Sequence, residues 1–426
     1  MMVYFFKTMR DRIVLLIKNK ENTRLITNFV SLISVKGVDF LIPLFVLPYL
    51  VRTLGIEMFG LISFSTAFTM YFGAIIHYGY SITAVRDIAR VRQDKNMLSK
   101  TYSEFLGVSI FLLLVSCIIL TLFLLIVPSL NEYWELHLYS FFFIAMQSFF
   151  PSWFFQGIEK MKFIAYINLS TKILFLVSLW FFVKSPDDYL FVPLLNACAM
   201  SISTLVSFIV IHKYLKISFI KPTVSQAISV LSKGQHSFIV QLAPTLYNST
   251  AMFLLGYTST NTLVGIYASA TKLIDALNSI AVLLSSTFLP YLSRNIKKHI
   301  YFSRIMIVVG ILLSGLAAFF SNQLIVFFFS EENLIVSKYF RYLTPMVLFI
   351  FIRFTYGPNY LMLIGKDIVY KNVVLYSCIA FFLIALVLVP HYEIYGAIAI
   401  LLGTSFVMAV LTFFYYRKNY EITGMQ

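Results

Sequence analysis

The sequence predicts an all-α integral membrane protein of about twelve transmembrane helices in two six-helix bundles, and three observations carry that prediction. Hydrophobic residues fill 60% of the 426 positions and charged residues only 12%, with a mean hydropathy of +0.85. Such a balance exceeds the needs of a soluble core and suits a polytopic membrane protein. Apolar runs of the ~20 residues that cross ~30 Å of hydrocarbon recur along the whole chain. Between these runs the basic residues segregate: 25 lie on the face assigned to the cytoplasm and four, Arg52, Lys184, Lys338 and Arg341, on the other. That asymmetry places both termini in the cytoplasm.

Residues 1–24 form a cytoplasmic N-terminal segment. Lys7, Arg10, Arg12, Lys18 and Lys20 interrupt its apolar residues and no small-residue cleavage site follows, so an amphipathic segment on the inner surface fits better than a cleaved signal. The first span, 25–50, carries Lys36 and Asp39 near mid-depth. Pro43 and Pro48 are expected to break it, and the chain leaves through Leu54-Gly55 into the second span, 59–80. Spans at 104–127, 138–157, 163–183 and 190–212 complete an N-terminal bundle, residues 25–212. A cytoplasmic linker, 213–235, holds Pro222 and four lysines. The C-terminal bundle, 236–416, contains spans at 236–257, 266–290, 305–329, 342–364, 372–390 and 396–416, and a cytoplasmic tail, 417–426, closes the chain.

A weak internal echo supports the division. Leu54-Gly55 followed by Phe59-Gly60 resembles Leu255-Gly256 followed by Val264-Gly265, and Gly157-Ile158-Glu159-Lys160 holds the place of Gly365-Lys366-Asp367 in the second half. Two like halves with a site between them near mid-membrane is a transporter plan.

Four basic residues fall inside spans: Lys36, Lys172, Lys272 and Arg353. A charge in hydrocarbon costs at least about 2.5–3.5 kcal/mol and usually faces a partner or a watery cavity. Lys36 and Arg353 are central, whereas Lys172 and Lys272 lie nearer span ends, where a long stem reaches headgroups. Lys36 and Asp39 are i, i+3 and share a helix face, and Lys272 with Asp275 repeats the theme. Arg353 has no acidic residue one turn away, which makes it the foremost candidate for an anion ligand. Polar stripes run through Ser269, Ser279 and Ser286 in span 8, Gln241, Thr245 and Asn248 in span 7, and Ser63, Thr66, Gly73 and His77 in span 2. Spans 1, 2, 7 and 8 are therefore expected to line a cavity at the junction of the halves. Each feature has a plainer reading: the Lys-x-x-Asp pairs can be structural, the hydroxyls can bond between helices, and His77 can be a packed polar residue.

Other classes are disfavoured. The net charge of +15 is spread over many inner loops, which argues against a nucleic-acid footprint and needs only anionic lipid as a partner. Cys117, Cys198 and Cys378 each fall within a span, so neither a disulfide framework nor a thiolate metal site is indicated. No His-Glu-x-x-His, phosphate-binding glycine loop or Gly-x-Ser-x-Gly occurs, so no enzyme activity, metal or cofactor is expected.

The run from Pro43 to Gly60, then Tyr78-Gly79-Tyr80-Ser81, Arg86-Asp87-Ile88-Ala89-Arg90 and Trp153-Phe154-Phe155-Gln156-Gly157, resembles the Wzx-type O-antigen flippases, a polysaccharide transporter branch of the MATE-like superfamily. The resemblance implies a V-shaped pair of bundles in the bacterial inner membrane. It also implies an undecaprenyl-diphosphate-linked oligosaccharide as substrate, carried through a cationic central cavity to the outer leaflet. Lys36, Lys172, Lys272 and Arg353 are then expected to meet the diphosphate. Asp39, Asp275 and His77 would compensate charge or couple an ion, H+ or Na+, and other O-antigen assembly proteins are possible partners. The alternatives are a cation-coupled multidrug exporter of the MATE branch, which would want an acidic cavity, and a polysaccharide polymerase or glycosyltransferase, which would want a large outer loop.

Overall fold

The computed structural model describes residues 20–422, with side chains over 42–420. The regular elements among them are all helical: fifteen α-helices and five short turns of tighter or wider helix, at Pro186–Leu190, Val210–Tyr214, Ile296–Lys298, Glu331–Asn333 and Gly357–Met362. In order the α-helices are α1 (Lys20–His77), α2 (Thr83–Val91), α3 (Lys95–Ile126), α4 (Pro128–Asn131), α5 (Trp134–Phe149), α6 (Ser152–Gly157), α7 (Met161–Phe182), α8 (Phe191–Ile209), α9 (Val224–Thr258), α10 (Asn261–Leu292), α11 (His299–Phe319), α12 (Ser321–Phe329), α13 (Ile335–Leu343), α14 (Pro345–Tyr356) and α15 (Asp367–Ile422).

Ten helices among the described residues are long and apolar enough to cross a membrane, against the twelve expected. The difference lies in α1 and α15, which run 58 and 56 residues, far more than one crossing needs. Each has one residue outside helical geometry, Gly55 (φ 80°, ψ 163°) in α1 and Glu393 (φ 48°, ψ −125°) in α15. Both fall in the short segments expected between two spans. Pro43 and Pro48, by contrast, lie inside α1 without ending it, as prolines in membrane helices can where neighbours accommodate the freed backbone groups. The break comes at Gly55 because only a residue without Cβ enters that region of φ cheaply.

The stretch expected as a linker, 213–235, is helical from Val224 onward. α9 starts at Val224 because Thr223 and Gln226 form a capping box: the Thr223 N–H donates to Gln226 Oε1 at 2.7 Å and the Gln226 N–H to Thr223 Oγ1 at 3.4 Å. The preceding segment is strapped to α3. Ser99 and Ser103 hydroxyls accept from the backbone N–H groups of Ser218 and Ile220, and a Cβ added at Gly107 would lie 2.6 Å from Pro222.

From Ile56 to its end α1 packs along α9 and α10. At one end Gly60 and Gly265, the glycines of the internal echo, lie at a close crossing: a Cβ on Gly60 would be 1.9 Å from the Asn261 carbonyl oxygen, and one on Gly265 1.9 Å from that of Ile56. Small residues at a crossing let membrane helices approach backbone to backbone. Nearby, Arg52 donates from Nε to the Phe328 carbonyl at 3.0 Å and from Nη2 to that of Phe327, capping the last turn of α12. Phe253 of α9 stacks on Phe64 and Phe68 at 5.8 and 5.6 Å, Tyr71 bonds Thr250 at 2.7 Å, and Tyr78 stacks on Phe238 at 4.9 Å.

Three of the motifs that carry the family resemblance meet in a second hydrophobic core that includes Tyr80, Ile88, Trp153, Phe154 and Phe155, while the run from Pro43 to Gly60 packs in the first. Gly157 lets Ile88 approach so closely that a Cβ there would be 2.4 Å away. The loop echo reappears in hydrogen bonds, shifted by two residues from the sequence pairing of Gly157 with Gly365. Ile158, Glu159 and Lys160 donate backbone N–H groups to Phe154, Gln156 and Phe155, and Ile364, Gly365 and Lys366 do the same to Tyr360, Met362 and Leu361. Glu159 (φ 59°) therefore corresponds to Gly365 (φ 75°).

Candidate functional site

Four helices of the C-terminal half, with Ile82 from the N-terminal half, line an open cavity of about 750 Å³, within the size range of small-molecule sites. α9 contributes His236, Tyr247 and Asn248, α10 contributes Asp275 and Asn278, α14 contributes Arg353 and Phe354, and α15 contributes Asp367, Tyr370, Lys371 and Met408. Apolar side chains such as Val240, Ile350 and Val374 fill much of the remaining wall.

Arg353 is half-buried, and its partners are poor. Nη1 donates to the Met408 thioether at 3.3 Å, the guanidinium carbon lies 5.2 Å from the centre of the Phe354 ring, and Nε is buried with no acceptor. A thioether accepts hydrogen bonds weakly, and a guanidinium carries five donors. No carboxylate lies within 4 Å of Arg353 among the described residues. The backbone alone dictates the position: α14 runs from Pro345 as an unbroken helix, and its last turn delivers Arg353 just before the chain opens into a wider turn at Gly357–Met362.

Asp275 faces the cavity, so its carboxylate meets open space although the residue lies deep among the helices. Asn278, one turn on, is buried with an unpartnered Oδ1. Tyr247 is anchored by a 2.8 Å hydrogen bond between its hydroxyl and that of Ser405. Towards the other end, Lys371 Nζ donates to His236 Nε2 at 3.0 Å, and Asp367 precedes Lys371 by one helical turn. The formal charges of this lining balance, Arg353 and Lys371 against Asp275 and Asp367, so the cavity is not the positively charged one that the family resemblance implies.

Of the residues nominated from sequence, Arg353, Asp275 and Asn248 come together here. Lys272 is exposed, outside this lining, and makes no ion pair with Asp275 within 4 Å. Lys172 is half-buried on α7, away from the cavity. Lys36 and Asp39 lie on α1 but outside the residues whose side chains are described. Gln241 Nε2 donates to His77 Nδ1 at 2.7 Å and its Oε1 accepts from Ser81 at 3.3 Å, so these groups join α9 to the end of α1 beside the cavity. Thr245 is half-buried outside the lining, Ser269 is buried with an unpartnered hydroxyl, and Ser279 bonds its own helix at Ala276.

The polar stripe of span 2 does not line this cavity. Ser63 and Thr66 donate to carbonyls four residues back in α1, and Gly73 takes the Ile144 side chain. Helix-internal hydroxyl bonds account for a stripe that the sequence pattern assigns to water. Tyr247, Asn278, Tyr370, His236 and Lys371 escaped the sequence reading. Asn278 was open to detection, since it stands i, i+3 from Asp275, whereas the Arg353–Met408 contact spans 55 positions and leaves no local trace.

The sequence profile of the polysaccharide biosynthesis protein family matches residues 25–296. Two relatives each bear the name "Putative O-antigen transporter". The one from Escherichia coli (strain K12) is 27% identical over 276 residues, covering 65% of this chain and 66% of that protein. The one from Shigella dysenteriae is 25% identical over 386 residues, covering 89% and 96%. Among solved structures, a multidrug resistance MATE family transporter of the MOP superfamily in an inward-facing conformation superposes with a TM-score of 0.66 at 17% identity, covering 90% of this chain and 95% of that one. The lipid II flippase MurJ in an inward closed conformation gives 0.67 at 13%, covering 91% and 87%. These structures show a shared fold.

Proposed function

The chain belongs to the polysaccharide biosynthesis protein family, and from that premise we propose that it is a flippase for an undecaprenyl-diphosphate-linked O-antigen oligosaccharide repeat unit. It moves the unit from the cytoplasmic to the periplasmic leaflet of the bacterial inner membrane by alternating access between two six-helix bundles. The names of the two relatives and the segregation of basic residues to one face support this reading. The observation that carries it is Arg353, a cavity guanidinium whose close contacts are a thioether and a phenyl ring, with no carboxylate within 4 Å among the described residues. An arginine left so is matched by a ligand that brings its own negative charge, and a diphosphate oxygen pair fits its planar fork.

In this mechanism the diphosphate and first sugars enter past Lys371 and His236 and settle on Arg353, while the polyprenyl tail stays in lipid. Tyr247, Tyr370 and Phe354 offer ring faces to the sugars. Asp275 balances Arg353 in the empty cavity, and its protonation, or binding of H+ or Na+, couples the return step. Lys36, Lys172 and Lys272 serve a second position on the path, with Asp39 and His77 adjusting charge there.

Replacing Arg353 with Ala relieves an insertion penalty of about 2.5–3.5 kcal/mol, so membrane level should hold while transport collapses. Arg353→Lys should restore part of it, since charge returns without the bidentate geometry. The measurement is lipopolysaccharide display in a flippase-null strain, with the amount of each variant in the membrane determined alongside. Near wild-type display by Arg353→Ala at low expression would remove the anion-ligand role.

The balanced charge of the cavity favours a second reading, a MATE-type cation-coupled exporter. Increased resistance to cationic drugs on expression, with no effect on lipopolysaccharide, would select it.

A further inference from the structure

A second cavity, of about 500 Å³, opens at α13. Lys338 and Arg341 stand there one helical turn apart, with Asn322, Ser337 and Tyr342 beside them. The two cations are two of the four basic residues that the charge pattern leaves on the outer face, and the fold puts them in one pocket. Fifteen residues separate Lys338 from Arg353, about 22 Å along α13 and α14 at 1.5 Å per residue. The pocket is thus distinct from the cavity around Arg353.

Both cations are held by neutral groups. Arg341 donates from Nε and Nη2 to the Ser321 hydroxyl at 3.1 and 2.8 Å, and from Nη2 to Asn322 Oδ1 at 3.4 Å. Lys338 Nζ donates to the Tyr395 hydroxyl at 2.9 Å and lies 5.5 and 5.6 Å from the ring centres of Tyr339 and Tyr395. Among the described residues no carboxylate lies within 4 Å of either, although Glu331 and Glu332 are close in sequence. The first turn of α12 supplies Asn322 to the pocket, and a helix N-terminus adds positive potential through N–H groups that lack acceptors within the helix. Around this polar floor Ile335 and Tyr342 are exposed, at 51% and 45%. An aromatic and aliphatic rim over paired cations matches the boundary between headgroups and hydrocarbon.

We propose that this pocket binds a phosphate-bearing lipid headgroup at the outer face. The inference stands on the pocket alone and does not depend on the proposed transport. Two lipids present that chemistry, a resident anionic phospholipid and a polyprenyl diphosphate after crossing.

The test uses the full chain in nanodiscs, with bound lipid counted by native mass spectrometry. Wild type should retain phosphatidylglycerol over phosphatidylcholine, and the double variant Lys338→Gln, Arg341→Gln should lose that retention about tenfold, as removal of charge-assisted contacts predicts. The charge-preserving pair Lys338→Arg, Arg341→Lys should keep it, and size-exclusion profiles report whether each variant is folded. Displacement of phosphatidylglycerol by added undecaprenyl diphosphate would identify the lipid-linked diphosphate as occupant. Persistence of phosphatidylglycerol would identify a resident phospholipid, and both outcomes support the site. Equal retention by wild type and the folded Gln variant would overturn it.

Discussion

Arg353 shows how a single side chain sets the character of a membrane cavity. Its partners, the Met408 sulfur and the Phe354 ring, stabilise a cation less than a carboxylate would, and the proposed role rests on that deficit. Supplying the missing carboxylate should therefore silence it. Met408→Glu places an acid where the thioether stands and should form a buried pair with Arg353, whereas Met408→Leu removes the weak acceptor at nearly equal volume and should be close to neutral. A charge-assisted contact is worth roughly 1.5–3 kcal/mol, so apparent substrate affinity should fall about ten- to hundredfold in the Glu variant. Transport assays at matched membrane level would check this, and unchanged transport by Met408→Glu would show that Arg353 holds no ligand.

At the scale of elements, the glycines of α1 and α10 decide how close two helices come. Gly60→Ala and Gly265→Ala each drive a Cβ to 1.9 Å from a backbone carbonyl oxygen, which the backbone cannot evade by changing a rotamer. Overpacking costs about 1–3 kcal/mol and more where backbone must shift. Both variants should melt at lower temperature in detergent, by several degrees. Gly315→Ala on α11 meets nothing within 4 Å and should leave the melting temperature unchanged. A Gly265→Ala protein as stable as wild type would show that the crossing is looser than described. The same contacts explain the glycine echo: Gly60 and Gly265 are positions where the two halves touch each other.

For the whole molecule, the claim most exposed to test is orientation. Reporter fusions at Gln93, Gln226 and Gln426 should give cytoplasmic signals, and fusions at Asn131, Asp187 and Glu332 should report the opposite side, because 25 basic residues against four must be retained in the cytoplasm. A cytoplasmic signal at Glu332 would break the arrangement, and with it the outer placement of Lys338 and Arg341.

Membrane class, helical fold and the positions of most spans were determined by the sequence alone, because hydrocarbon demands long uncharged helices and leaves a composition that local reading detects. Arg353 and Asp275 were legible for the same reason, since a charge inside an apolar run stands out against its neighbours. What only the tertiary structure decided was the company those charges keep. The span 2 hydroxyls bond their own backbone, Lys272 stands outside the lining, and Tyr247 and Met408 arrived from other helices. Helix periodicity specifies a face, but which helix that face meets depends on contacts between residues far apart in the chain, such as Gly60 with Gly265 and Arg353 with Met408.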